Sequence, residues 1–212
     1  MTAEQLRTKR EEYPEAAVIS YVNTPAAVKA ESDLCCTSAN AVAVVNAVED
    51  KRPVLFVPDR NLGRHVARFS IKEIILWEGW CPTHLTLYAS DIRKSQQEHR
   101  EAKLMAHPEC LPEVLEQADQ IAGTSGMLSY AGQSEAREFI VGTEMGLVYR
   151  LRKTYPEKKF YPATEYLICP TMKMTTLERV FLALEEMEHV VTVPEEIQRK
   201  ARKALDTMLA VG

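Results

Sequence analysis

Short apolar runs recur along this chain, each followed by a polar loop and then a segment of helical periodicity. The runs at 16–21 (AAVISY), 53–57, 73–77, 102–106, 120–123, 138–141 and 159–161 are rich in β-branched and aromatic residues and predict strands. Helical spacing falls between and after them, at 26–31, 39–48, 61–69, 84–98, 112–118, 125–131, 145–154, 176–187 and 195–210. This βα alternation predicts an α/β fold of parallel sheets covered by helices on both faces. Two similar three-layer α/β/α units are expected, over residues 1–86 and 87–212, with the C-terminal helices in the second. The polar stretch 88–100 (YASDIRKSQQEHR) is the natural connector.

The strand-end loops change this picture from scaffold to site. They read YVNT (21–24), VPDRN (57–61), WEGWCPTH (77–84), AHPEC (106–110), GTSGM (123–127), VGTEMG (141–146) and LICP (167–170). Ligands of open α/β sheets bind at the carboxyl ends of strands. Two units facing each other by those ends would bring the loops to one crevice. Tyr21, Asn23, Thr24 and Ser38 supply hydroxyl and amide groups suited to a small anion, and Thr24 and Ser38 read equally as helix caps. Gly123-Thr124-Ser125-Gly126 opens a helix and offers backbone N–H groups. Neither a P-loop nor a GxGxxG fingerprint is present, so ATP and dinucleotide binding are poorly supported. Asp59-Arg60-Asn61 reads as a helix cap.

His107-Pro108-Glu109 ends an apolar strand, and its histidine and carboxylate suit proton exchange or substrate binding; a helix-capping histidine is the plain alternative. The proline is expected to hold the two side chains apart. His84, three residues after Cys81, is a second acid/base candidate or a solvent-exposed loop histidine. His65, His99 and His189 are given no role. Cys81 and Cys169 each precede a proline and stand at strand ends of different units, an arrangement open to an iron–sulfur cluster or to two buried structural thiols. Cys35 and Cys36 are adjacent, so their side chains diverge. They and Cys110 read as structural.

Composition narrows the class. The chain has 212 residues, 46% hydrophobic and 26% charged, with a net charge of −4, which does not mark a nucleic-acid binder. No apolar run approaches the ~20 residues of a membrane span, and the polar N-terminus is not a secretory signal. A cytoplasmic location is the default expectation. The five cysteines then read as free thiols or metal ligands rather than disulfides.

The segments YVNTPAAVKAESDLCCTSANAV (21–42), LFVPDRNLGRHVAR (55–68), WEGWCPTH (77–84), AHPECLPEVLEQAD (106–119), GTSGML (123–128), FIVGTEMGLVYRL (139–151), KFYPA (159–163) and CPTMKMTTLERV (169–180) together resemble the quinolinate synthase A family of NAD biosynthesis. The resemblance implies three pseudo-symmetric α/β domains, of which this chain carries the second and third. It implies condensation of iminosuccinate with dihydroxyacetone phosphate to quinolinate, with loss of phosphate and water. An L-aspartate oxidase is the implied supplier of iminosuccinate. It implies a [4Fe–4S] cluster held by three cysteines, with Cys81 and Cys169 as the second and third. The first would lie in a preceding domain, together with a substrate-binding histidine and serine. Carried over by residue, Tyr21, Val22, Asn23, Ser38, His107, Pro108, Glu109 and Thr124 contact substrate. Glu109, Tyr21 and His84 are the proton-transfer candidates. With one ligand outside this sequence, the other expectation is a non-catalytic remnant or dicarboxylate-binding module.

Overall fold

The computed structural model describes residues 1–49 and 51–211. The first half runs α1 (Ala3–Glu12), β1 (Ala17–Tyr21), α2 (Ala26–Lys29), β2 (Leu34–Cys36), α3 (Ala41–Asn46), β3 (Val54–Val57), α4 (Arg60–Ala67), β4 (Ile74–Leu76) and α5 (Pro82–Leu85). The connector is α6 (Ala89–Glu98). The second half runs β5 (Lys103–Ala106), α7 (Pro112–Leu115), β6 (Gln120–Ile121), α8 (Thr124–Gln133), β7 (Glu138–Gly142), α9 (Gly146–Thr154), β8 (Lys159–Pro162), α10 (Pro170–Lys173), α11 (Leu177–Glu185) and α12 (Glu195–Val211).

The strands form two four-stranded parallel sheets, ordered β2-β1-β3-β4 and β6-β5-β7-β8. The α/β expectation holds. The central strands are apolar on both faces because both faces are covered. In the first sheet Ala17, Ile19, Val54 and Phe56 pack with α3 and α4, while Val18, Leu55 and Val57 pack on Leu6 of α1 and Val28 of α2. In the second, Leu104, Ala106 and Ile140 pack with Ile92 of α6 and Val114 of α7. Its other face puts Met105, Phe139 and Val141 against α8 and α9, with Phe139 stacked on Phe160 at 5.4 Å.

The units repeat small devices. Val18 N–H donates to Asp33 Oδ2 at 2.8 Å, and Leu104 N–H donates to Asp119 Oδ2 at 2.8 Å. Each carboxylate ties the start of an edge strand to the central strand beside it. Strand order reverses between β1 and β3, and again between β5 and β7, so each sheet has a switch point where a ligand crevice is expected.

Four elements differ from the sequence reading. β2 was not expected, nor were α1 and α10. The helix expected over 84–98 is two helices: Pro82 starts α5, and the Asp91 carboxylate accepts the Tyr88 N–H at 2.9 Å to start α6 afresh. α12 was grouped with the second unit. It packs on the first, where Ala204 and Met208 join the cluster of Ile19, Val44 and Phe56.

Candidate functional site

The carboxyl ends of the central strands meet between the two units. β1 runs into Tyr21, Val22 and Asn23; β3 runs into Pro58 and Asp59. β5 runs into His107, Pro108 and Glu109; β7 runs into Thr143 and Glu144. A cavity of about 350 Å³ lies at this seam, lined by Tyr21, Asn23, Asp59, Trp77, Cys81 and Glu109 among others.

Glu109 is the hub. Its Oε2 lies 2.9 Å from His84 Nδ1 and 3.6 Å from His107 Nδ1. The two imidazoles stack with centroids 4.3 Å apart and planes 9° from parallel. His84 is buried, not a solvent-exposed loop residue, and its Nε2 lies 2.9 Å from Thr143 Oγ1. Pro108 does not hold His107 and Glu109 apart as the sequence reading expected. It turns the chain tightly enough for Glu109 N–H to donate to His107 Nδ1 at 3.3 Å. Asn61 reaches across from α4, its Nδ2 donating to the Glu109 carbonyl at 3.2 Å.

Burial and charge set the protonation states. Burial opposes a charged His84, but contact with Cys81 and the Glu109 carboxylate outweighs it and raises its pKa to about 9. Burial, with the His84 charge beside it, lowers His107 to about 4. Burial works against an ionised Glu109, yet His84 and His107 prevail and its pKa is lowered. At neutral pH the cluster is therefore a carboxylate, an imidazolium and a neutral imidazole. Burial first, then the Glu109 charge, raises Tyr21 to about 12, so its phenol keeps its proton.

Tyr21 is hydrogen-bonded to Ser38, and Ser38 in turn faces the second unit. A Cβ built on Gly123 would stand 2.4 Å from Ser38 Oγ. Gly123 immediately precedes Thr124, the first residue of α8. The structure thus brings Tyr21, Ser38 and the Thr124 helix start together, with Asn23 and Thr124 exposed to solvent. Val22 is held by the Cys36 carbonyl through its N–H at 2.9 Å, and Pro108 is buried.

Cys81 and Cys169 occupy matching places. Each precedes a proline that starts a four-residue helix, and each is partly exposed. Each backbone N–H meets a buried carboxylate: Cys81 N–H donates to Asp59 Oδ2 at 2.7 Å, and Cys169 N–H to Glu144 Oε1 at 3.4 Å. The same carboxylates accept from helix starts, Asp59 from Leu62 N–H at 2.8 Å and Glu144 from Gly146 N–H at 2.7 Å. The Cys169 thiol is shifted down by hydrogen bonds from Thr171 and the Met172 N–H, with Thr83 also within reach. Thr83 lies two residues beyond Cys81, so the two thiol loops are neighbours. Cys35, Cys36 and Cys110 are buried, and burial pushes all three thiols up, Cys110 to about 12. Two accessible thiols on adjacent loops fit two corners of an iron–sulfur cluster; the other three cysteines do not reach the seam.

Sequence reasoning passed over Asn61, Thr143 and Trp77, and took Asp59 only as a cap. Their strand-end positions were the signal available.

A model of the family described as quinolinate synthetase A protein matches residues 1–210. A quinolinate synthase of Methanosarcina barkeri is 54% identical over 208 residues, covering 98% of this chain and 68% of the relative. Quinolinate synthase 1 of Methanosarcina acetivorans is 55% identical over the same coverage, and a Geobacter quinolinate synthase is 49% identical over 211 residues. The chain spans about two thirds of the length of these relatives.

Proposed function

The chain belongs to the quinolinate synthetase A family, and from that premise we propose that it carries the seam at which quinolinate is made. In this reading iminosuccinate and dihydroxyacetone phosphate condense with loss of phosphate and water, and an L-aspartate oxidase supplies the first substrate. The observation that carries it is the convergence of Tyr21, Asn23 and Glu109 on one cavity at two facing switch points, beside Cys81.

The residues take distinct roles. Glu109, ionised and 2.9 Å from His84, is the base that accepts a proton, and the His84 imidazolium steadies its charge. Tyr21, protonated across the physiological range, donates a hydrogen bond to a substrate oxygen. Asn23, Ser38 and Thr124 hold carboxylate and phosphate oxygens, Thr124 with the free N–H groups that open α8. Val22 and Pro108 shape the walls, and His107 orients the loop that presents Glu109. Cys81 and Cys169 would hold two corners of a [4Fe–4S] cluster, which supplies Lewis-acidic iron when bound.

Anaerobic reconstitution with iron and sulfide, followed by assay of quinolinate from the two substrates, tests this. Turnover that falls by about 10²-fold or more in Glu109→Gln supports the assigned base. A chain that gains iron and sulfide yet makes no quinolinate rules out catalysis by this chain. A second reading is favoured by one observation, that two of the five cysteines reach the seam. It is a dicarboxylate-binding module, and saturable calorimetric binding of quinolinate to cluster-free chain, lost in Tyr21→Phe, would mark it.

A further inference from the structure

Cys81, His84 and Glu109 bring one sulfur, one ring nitrogen and one carboxylate oxygen within 4.8 Å of one another. The three donors come from both sides of the seam: Cys81 and His84 from α5 and its start, Glu109 from the end of β5. We propose that this group is a mononuclear divalent-cation site, chemically suited to Zn²⁺, with its fourth position open to the substrate cavity.

The donor chemistry is the first support. Thiolate, imidazole and carboxylate are the ligands Zn²⁺ takes, and three protein donors plus one exchangeable position is the pattern of its catalytic sites. Metal bonds of about 2.0–2.3 Å would set ligand atoms roughly 3.5 Å apart, so the donors need only a small inward shift.

The second support is independent of the grouping. His84 is 7% exposed, yet its Nδ1 has no aligned hydrogen bond, although Glu109 Oε2 stands 2.9 Å away. A buried ring nitrogen without an aligned partner calls for an explanation. The other ring nitrogen is held: Nε2 lies 2.9 Å from Thr143 Oγ1. A hydroxyl that accepts Nε2–H leaves Nδ1 as the lone-pair atom facing Cys81 and Glu109, as outer partners do for metal-bound histidines. Asp59 fixes the Cys81 backbone at 2.7 Å, so two donors are steadied from outside the group. Glu109 and Cys81 both line the cavity, which gives the fourth position to water or to a substrate oxygen.

The site does not rest on the cluster reading, but it shares Cys81 with it, so the two occupants exclude each other. His84 and Glu109 belong to this site alone; Cys169 belongs to the cluster alone.

Anaerobic Zn²⁺ titration of the cluster-free chain against a chromogenic chelator tests the proposal. One equivalent should bind, with affinity weakened about tenfold or more in His84→Gln, Glu109→Gln and Cys81→Ser, and unchanged in Cys169→Ser. Co²⁺ bound to the unaltered chain should show tetrahedral ligand-field bands and a thiolate charge-transfer band, so the result does not depend on any variant folding. No stoichiometric binding overturns the site. So does binding that depends on Cys169 and not on His84 or Glu109, which would be a pair of thiols acting alone. Cluster content after iron and sulfide reconstitution, measured in Cys169→Ser, separates failure of the cluster reading from failure of this one.

Discussion

Ser38 Oγ stands where a Cβ of residue 123 would come within 2.4 Å of it, so the glycine lets the two units close on each other at this point. Gly123→Ala must push Ser38 or the start of α8 aside. The expected cost is about 1–3 kcal/mol, read as a lowered Tm. Adding Ser38→Ala removes the colliding oxygen and should restore most of the stability without restoring ligand affinity. A double variant no more stable than Gly123→Ala would mean that the contact does not limit closure.

His84 and His107 stack face to face and titrate in opposite senses. The folded pKa of His84, about 9, is above its ordinary 6.5, so its stabilising contribution is complete below pH 6.5 and is lost as pH rises to 9. His107, at about 4, is below 6.5; its contribution is complete above pH 6.5 and is lost as pH falls to 4. Each limb has a slope of at most about 1.4 kcal/mol per pH unit. Asp59, raised to about 6 from 3.8 by burial, opposes the acid limb, so variant differences isolate each histidine. Thermal unfolding from pH 4 to 9 should show His84→Gln flattening the alkaline limb and His107→Gln the acid one. Variant curves displaced equally at all pH values would contradict the assignment.

Asp59 and Glu144 are equivalent clamps. Asp59→Asn keeps an oxygen for Leu62 N–H and turns an amide group toward Cys81 N–H, which it cannot accept. Amide exchange at Cys81 should quicken while Cys169 stays as before, and Glu144→Gln should do the reverse. Equal quickening at both cysteines would indicate general loosening.

Asn61 donates to the Glu109 carbonyl across the seam. Asn61→Ala leaves that buried acceptor unpaired, with an expected loss of about 1–3 kcal/mol in urea unfolding. If Glu109 is the base, turnover should fall beyond what the lost stability explains. Stability and turnover both unchanged would show that the bond positions nothing.

The fold was legible where burial writes itself into a strand. AAVISY and VLFV are apolar throughout because both faces of each sheet are covered. β2 was not, since Leu34-Cys35-Cys36 is short, follows Glu31 and Asp33, and is fixed by pairing with β1. The α12 position depends on a face of the first sheet far away in sequence. At the site, Tyr21, His107 and Glu109 stood out because polar groups ended apolar runs. The burial of His84 was not legible: Glu109 and Thr143, which hold its two nitrogens, lie in the other unit.

The path of α12 has a consequence for how the chain is made. Ala204 and Met208 cover Ile19 and Phe56, residues synthesised long before them. While the polypeptide leaves the ribosome, the first sheet keeps one face wet until residues 195–211 emerge. The half of the protein that is born first is therefore finished last.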